Sequence, residues 1–218
     1  MKRRIYFVRH GESESNEKKI HSAPTSPLSA KGFEQGEFIA ERCSTLSAHV
    51  LITSTMMRAA QTAELISKKT GLTPEYSDLF VEGRGIGKFI DVPHADKEAL
   101  DAYKQLSRNY GTPGWRYDDE ENYEDHCARA GEALKFLEQR NESHILVVTH
   151  GLFLRILLAH VIFDKPTPVE IQKITHRSDM ANTGLTIFDF DDEQPLNAWG
   201  EKSSPWRFWV WNDHAHLG

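Results

Sequence analysis

The sequence predicts an α/β fold of three layers, α/β/α, with a mainly parallel central sheet and an antiparallel edge strand. Three observations predict it. Short unbroken apolar runs, IYFV at 5–8 and ILVVT at 145–149, are rich in β-branched and aromatic residues, as in strands covered on both faces. Segments with apolar residues at helical spacing separate such runs, which implies crossovers and parallel neighbours. Two β-rich runs, TGLTIFDF at 183–190 and WRFWVW at 206–211, then close the chain with no helix between them. They supply the antiparallel edge.

In order along the chain, the strand at 5–8 leads into a polar, proline-containing loop at 12–28. Ser29 is the N-cap of a helix running to about Leu46, with Phe33, Ala40 and Cys43 at helical spacing. A strand at 49–53 precedes a helix at 56–69 that closes at Gly71, with Pro74 beyond it. A short strand at 75–77 follows. Residues 79–118 hold five glycines, Pro93 and Pro113, and read as a lid or specificity insertion with one helix at 96–108. Asp118 with Glu121 fits a capping box for a long helix ending near Asn141. The strand at 144–149 runs at once into a helix at 152–162, and a short helical turn follows DKPTPVE. Residues 191–205 read as an exposed linker. The whole chain, 1–218, reads as one domain.

Composition narrows the partners. The charged fraction of 27 % and apolar fraction of 39 % are those of an ordinary globular protein. A net charge of −6 with dispersed basic residues argues against nucleic acid or an anionic membrane as partner. Cys43 and Cys127 have neither C-x-x-C nor zinc spacing, which fits a reducing compartment. The apolar run after the basic start spans four residues before Arg9, too short for a signal peptide or a membrane span. The expectation is a cytoplasmic protein. The length and composition leave its oligomeric state open.

The chemistry concentrates at two strand tips, Arg9-His10-Gly11 and His150-Gly151. In a parallel sheet ligands bind beyond the carboxyl ends of the strands, so both tips can face one crevice. A single histidine after a strand is most often structural. Two of them at equivalent ends, each followed by a glycine that permits a sharp turn and close approach, point to a site. His150 stands at the mouth of a helix, which favours an anion. Arg9 adds a guanidinium fork suited to phosphate oxygens, and Arg58 falls in the first turn of the helix after the next strand. Two arginines and two histidines without carboxylate partners describe a phosphoryl pocket.

Arg9-His10-Gly11-Glu12, Asn16, SPLSAKG at 26–32, Ser54-x-x-x-Arg58-Ala59-x-Gln61-Thr62 and His150-Gly151 together resemble the histidine phosphatase superfamily, which includes phosphoglycerate mutase. NTGLTIFDF and WRFWVWNDHAHL extend the resemblance over nearly the whole chain. It implies a phosphoglycerate mutase-like fold and a small phosphorylated substrate. It further implies two-step transfer, with neutral His10 attacking phosphorus and Arg9, Arg58 and a protonated His150 holding the phosphoryl oxygens. The two histidines then need different pKa values. The arginines take the place of a divalent cation, so the scheme implies no metal and no cofactor. It places the general acid in DLFVEGRGIGKF, where Glu82 is the choice over Asp78 and Asp91.

The sequence departs from the family pattern at points that bear on activity. His21-Ser22 stands where many relatives carry a Gln-Gly pair that touches phosphate. After Glu82 there is no tyrosine-containing mutase signature and no adjacent arginine pair for a substrate carboxylate, which favours hydrolysis over mutase transfer. A phospho-ligand-binding module without turnover is the non-enzymatic alternative. Asn16, His21, Ser22 and Arg84 are the candidate substrate contacts, with Lys88 a further cation. Trp115, Arg116 and Tyr117 form either a lid or an aromatic anchor. His214 and His216 at the chain end read as structural, since no carboxylate or cysteine pattern accompanies them.

Overall fold

The first strand, β1 (Lys2–Arg9), extends beyond its apolar run and is buried at Ile5, Tyr6, Phe7 and Val8. In the computed structural model, which describes residues 2–193, 199–200 and 204–218, it lies inside a six-stranded sheet. The other elements follow as α1 (Glu14–Lys18), α2 (Ala30–Ser44), β2 (Val50–Thr53), α3 (Met57–Thr70), β3 (Pro74–Tyr76), α4 (Lys97–Asn109), α5 (Tyr123–Glu138), β4 (His144–Thr149), α6 (Gly151–Phe163), α7 (Pro168–Arg177), β5 (Leu185–Asp191) and β6 (Trp206–Asp213). The strand order is β3-β2-β4-β1-β5-β6. β1, β4, β2 and β3 run parallel, while β5 is antiparallel to β1 and β6 to β5. The parallel core and antiparallel edge match the expected class.

Alternation along the central strands divides the core in two. Ile5 and Phe7 join Ile145, Val147, Phe153 and Leu157 under α5 and α6. Tyr6 and Val8 join Leu51, Ile66, Leu146 and Val148 under α2 and α3. Each strand is therefore apolar at successive positions because both of its faces are covered. Burying one such Ile or Phe side chain contributes roughly 1.5–3 kcal/mol, which the central strands supply many times over.

The local signals place most helix ends. Ser29 accepts the Gly32 N–H at the start of α2, Asp96 that of Ala99 at the start of α4, and Gly71 closes α3 with φ 75°. Four expectations need correction. The loop at 12–28 contains α1, which Ser13 and Asn16 cap reciprocally and which is too short to show apolar periodicity. The long helix is α5, beginning at Tyr123 with Asn122 and Asp125 as its capping box and ending at Glu138. Asp118 and Glu121 do not cap it. The buried Glu120 carboxylate accepts the N–H groups of Tyr117 (2.6 Å) and Asp118 (2.9 Å), which folds that stretch as a turn. Phe33 lies on the solvent side of α2, whose buried face is Gly32, Gly36, Ile39, Ala40 and Cys43. The turn after DKPTPVE is the full helix α7. Residues 194–198 and 201–203 of the expected 191–205 linker lie outside the described residues.

Candidate active site

β1 and β4 are adjacent and in register, with Arg9 opposite Thr149, so the residues that follow them emerge side by side. His10 donates its backbone N–H to the Thr149 carbonyl (3.0 Å), and the rings of His10 and His150 lie 5.0 Å apart at 56°. Both histidines are buried. Backbone crowding demands the first of the glycines that follow them, and the second sits close to a side chain. A Cβ on Gly11 would stand 2.5 Å from the Gly32 carbonyl oxygen, and one on Gly151 would stand 3.3 Å from Arg9 Nε.

The hydrogen bonds fix the state of the His10 ring. Its Nδ1 lies 2.6 Å from the Gly11 carbonyl, which can only accept, so Nδ1 carries the proton. Nε2 is then the lone pair, and Arg58 Nε donates to it (3.2 Å). Arg58, on the first turn of α3, also donates to the Ala23 carbonyl (3.1 Å). Arg9 is bonded to the Met180 carbonyl, and its buried Nε has no hydrogen-bond partner among the described residues. His150 Nε2 faces Ser54 Oγ (2.8 Å), whose oxygen also accepts the Met56 N–H. His150 Nδ1 is buried and has no hydrogen-bond partner among the described residues. The unpartnered Arg9 Nε–H and the unpartnered His150 Nδ1 beside the His10 lone pair are polar atoms that an incoming phosphoryl group would use.

The electrostatics correct one expectation. Burial, then the positive charge of Arg58, pushes His10 and His150 alike well below the ordinary histidine value. Both shifts run the same way, against the protonated His150 that the resemblance implies. Burial also pushes Arg9 down to about 10, against the pull of the Glu82 carboxylate. Arg58 is pushed in the same direction for the same reason.

Glu82 is half-buried and reaches the first turn of α6. Its Oε1 accepts the N–H groups of Gly83 (3.1 Å) and Phe153 (3.0 Å), and its Oε2 that of Leu152 (3.2 Å). The carboxylate thus satisfies free donors of the helix that His150 begins. Arg9, His10, Arg58 and Glu82 line one cavity of about 1010 Å³, together with Asn16, His21, Ser22 and Arg84. Asn16 Oδ1 also accepts the Ser13 N–H, and the His21 ring stacks on Tyr103 at 4.5 Å. Asp78 accepts from Thr55 Oγ1 instead, and Asp91 lies outside the cavity.

Other expected contributors lie elsewhere. Lys88 pairs with Glu98 (2.9 Å) and sits over the Phe89 and Tyr117 rings. Arg116 pairs with Asp125, Tyr117 packs with Ile86 and Phe89, and none of residues 115–117 is part of the cavity wall. His216 bonds Thr183 Oγ1 (3.0 Å) and Arg42 (3.3 Å), and His214 faces the Asn212 carbonyl. Among the described residues, no three His, Cys, Asp or Glu side chains are grouped to hold a metal ion.

Sequence reasoning missed the residues that hold the site together. Asn182 Nδ2 donates to the His10 carbonyl (3.0 Å), and Thr183, at φ 59°, donates its N–H to the Arg9 carbonyl (3.0 Å). Arg129 and His126, on one face of α5, line the cavity. Their spacing at 126 and 129 was the available signal, but it reads equally as an ordinary polar face.

A sequence profile of the histidine phosphatase superfamily (branch 1) matches residues 5–202. The chain belongs to that superfamily. Histidine phosphatase relatives include the probable phosphoglycerate mutase GpmB of Enterobacter sp. strain 638, 30 % identical over 98 % of this chain and 94 % of the relative. The corresponding protein of Salmonella arizonae is 28 % identical over the same shares. Among solved structures, Bacillus stearothermophilus YhfR superposes with a TM-score of 0.76 at 26 % identity, covering 99 % of both chains. The mycobacterial glucosyl-3-phosphoglycerate phosphatase in complex with VO3 superposes with a TM-score of 0.75 at 21 % identity, over 97 % of this chain and 99 % of that one. These likenesses support the phosphoglycerate mutase-like fold of this superfamily member.

Proposed function

We propose that this histidine phosphatase is a metal-independent phosphomonoester hydrolase that works through a phosphohistidine on His10 and acts on a small phosphorylated metabolite. The observation that carries the reading is the committed His10 ring. With Nδ1 donating to Gly11, the lone pair of Nε2 is presented beside Arg58, the unpartnered Arg9 Nε–H and the unpartnered Nδ1 of His150. Nε2 attacks phosphorus while Arg9, Arg58 and His150 hold the phosphoryl oxygens. The substrate dianion adds counter-charge to that of Glu82 and lets His150 take a proton. Glu82 gives a proton to the leaving oxygen and then takes one from the attacking water.

Hydrolysis is favoured over mutase transfer by the distal wall of the cavity. Arg84 is the one exposed arginine in the lining, which also holds Asp119 and Glu132, and the other distal arginine among the described residues, Arg129, is tied to Glu121. Residues 79–118 furnish much of that wall and act as the specificity segment. The free thiols Cys43 and Cys127 fit a reducing, cytoplasmic setting, and no helix among the described residues is long and apolar enough to cross a membrane.

The test is hydrolysis of p-nitrophenyl phosphate in EDTA by the wild type and His10→Ala, with rapid quench for an acid-labile phosphoenzyme. Turnover and phosphoenzyme are expected in the wild type and neither in the variant. Vanadate binding without turnover would point to a binding module. Interconversion of phosphoglycerates with little phosphate release would point to a mutase.

A further inference from the structure

The loop that carries Glu82 is gripped from both sides by one ion pair that the proposed chemistry does not use. Arg129 Nη1 donates to the carbonyls of Val81 (2.7 Å) and Leu79 (3.3 Å), before Glu82. The rest of its guanidinium forks onto Glu121, Nε to Oε1 (2.9 Å) and Nη2 to Oε2 (2.7 Å). Glu121 Oε2 in turn accepts the Arg84 N–H (2.8 Å), and the Glu121 N–H donates to the Arg84 carbonyl (2.9 Å), after Glu82. The pair is largely shielded, with side-chain exposures of 13 % and 14 %. The same guanidinium lies 4.1 Å over the ring of Phe153, whose N–H holds Glu82. Gly83 allows this approach, since a Cβ there would stand 2.9 Å from His126 Nε2 and 3.0 Å from Leu152.

We infer that Arg129 and Glu121 are positioning residues for Glu82, fixing the backbone on either side of it so that its carboxyl stays at the leaving oxygen. This inference rests on the acid role proposed for Glu82. A buried bidentate pair is costly to desolvate and gives little net stability compared with apolar packing. Here its donors and acceptors reach backbone groups at Leu79, Val81 and Arg84, which is the geometry of a clamp. Arg129 does not touch the reacting atoms in this role.

The experiment measures phosphoenzyme formation with substrates of different leaving-group basicity. An alkyl phosphate leaves as a basic alkoxide and needs the acid, whereas p-nitrophenyl phosphate leaves as a weakly basic phenoxide and needs it little. Glu82→Gln is expected to slow the alkyl ester by roughly 100-fold or more and the aryl ester far less. Arg129→Gln is expected to reproduce that inequality, at about 10-fold on the alkyl ester, and to add little in the Glu82→Gln background. Inorganic phosphate binding should stay within about 2-fold, since the phosphoryl contacts are intact. Arg129→Lys and Glu121→Gln repeat the test if Arg129→Gln does not fold.

Equal slowing of both esters by the clamp variants, with unequal slowing by Glu82→Gln, would overturn the inference alone. Equal slowing by Glu82→Gln itself would remove the acid role and the clamp's purpose together. Loss of all ester hydrolysis in the wild type would reject the hydrolase reading.

Discussion

Arg58 Nε lies 3.2 Å from Nε2 of His10, so the guanidinium suited to a phosphate oxygen rests on the lone pair proposed to attack phosphorus. That contact has a titration consequence. Arg58 is the second cause, after burial, of the depressed His10 pKa. In Arg58→Ala the pKa of His10 should rise toward the ordinary value and stop short of it, because the ring stays buried. Nitrogen-15 NMR titration of the imidazole reads this directly, and an unmoved pKa would contradict the electrostatic link. The same variant should lose about 100-fold or more in kcat/KM, as for removal of one oxyanion donor.

A second expectation concerns stability against pH. His10 and His150 both have folded-state pKa values well below the unfolded value of 6.5. The unfolded chain therefore binds more protons below that value, and stability present above pH 6.5 is lost as pH falls toward the folded pKa values. Each histidine contributes a slope of at most about 1.4 kcal/mol per pH unit in that window. Thermal unfolding from pH 7 to 5 should show a falling Tm, with a shallower fall in His150→Gln. Saturating inorganic phosphate should flatten the wild-type curve, because the bound anion favours a protonated His150. A Tm equally pH-dependent in the variant would assign the loss to other groups.

The sequence made the scaffold visible where one physical cause dominates. The short, β-branched apolar runs at 5–8 and 145–149 read as doubly covered strands, and the His10 and His150 tips follow from where such strands end. The beginning of α5 was hidden because Asp118, Glu120, Glu121 and Asn122 all carry capping oxygens. Only tertiary packing decides among them, burying Glu120 in its own turn and drawing Glu121 to Arg129. The cavity wall was partly legible for a similar reason. Glu82 stands in the expected stretch, but His21 reaches the wall through backbone bonds to Asp91 and Val92. Asn182 reaches His10 across 172 positions of chain, which no local pattern encodes.

Gly32 is the tightest point between α2 and the loop after His10. A Cβ there would collide with the Glu12 carbonyl, which already accepts the Ser29 N–H at 2.9 Å. Backbone cannot yield as a flexible side chain does, so Gly32→Ala should cost about 3 kcal/mol. Denaturant unfolding measures the loss. Catalytic rate should fall as well, since displacing Glu12 carries Gly11 and the His10 ring with it. A variant as stable as wild type would show that α2 can shift away without disturbing the loop.

His216 is the outer end of a relay to the site. Arg42 donates to its Nδ1 (3.3 Å), so Nε2–H donates to Thr183 Oγ1 (3.0 Å), whose hydroxyl donates to the Asn182 carbonyl (2.7 Å). Asn182 then donates to the His10 carbonyl. Burial, then Arg42, pushes the His216 pKa down to about 4, so the relay keeps one protonation state above pH 5. His216→Ala removes one hydrogen bond to Thr183, which holds a left-handed φ, and should cost about 1 kcal/mol in stability. Because Thr183 keeps its backbone bond to Arg9, kcat should fall by less than about 10-fold and its pH profile should keep its shape. A shifted profile in His216→Ala would mean that this imidazole exchanges protons with the site, and the structural reading of the terminal histidine would fail.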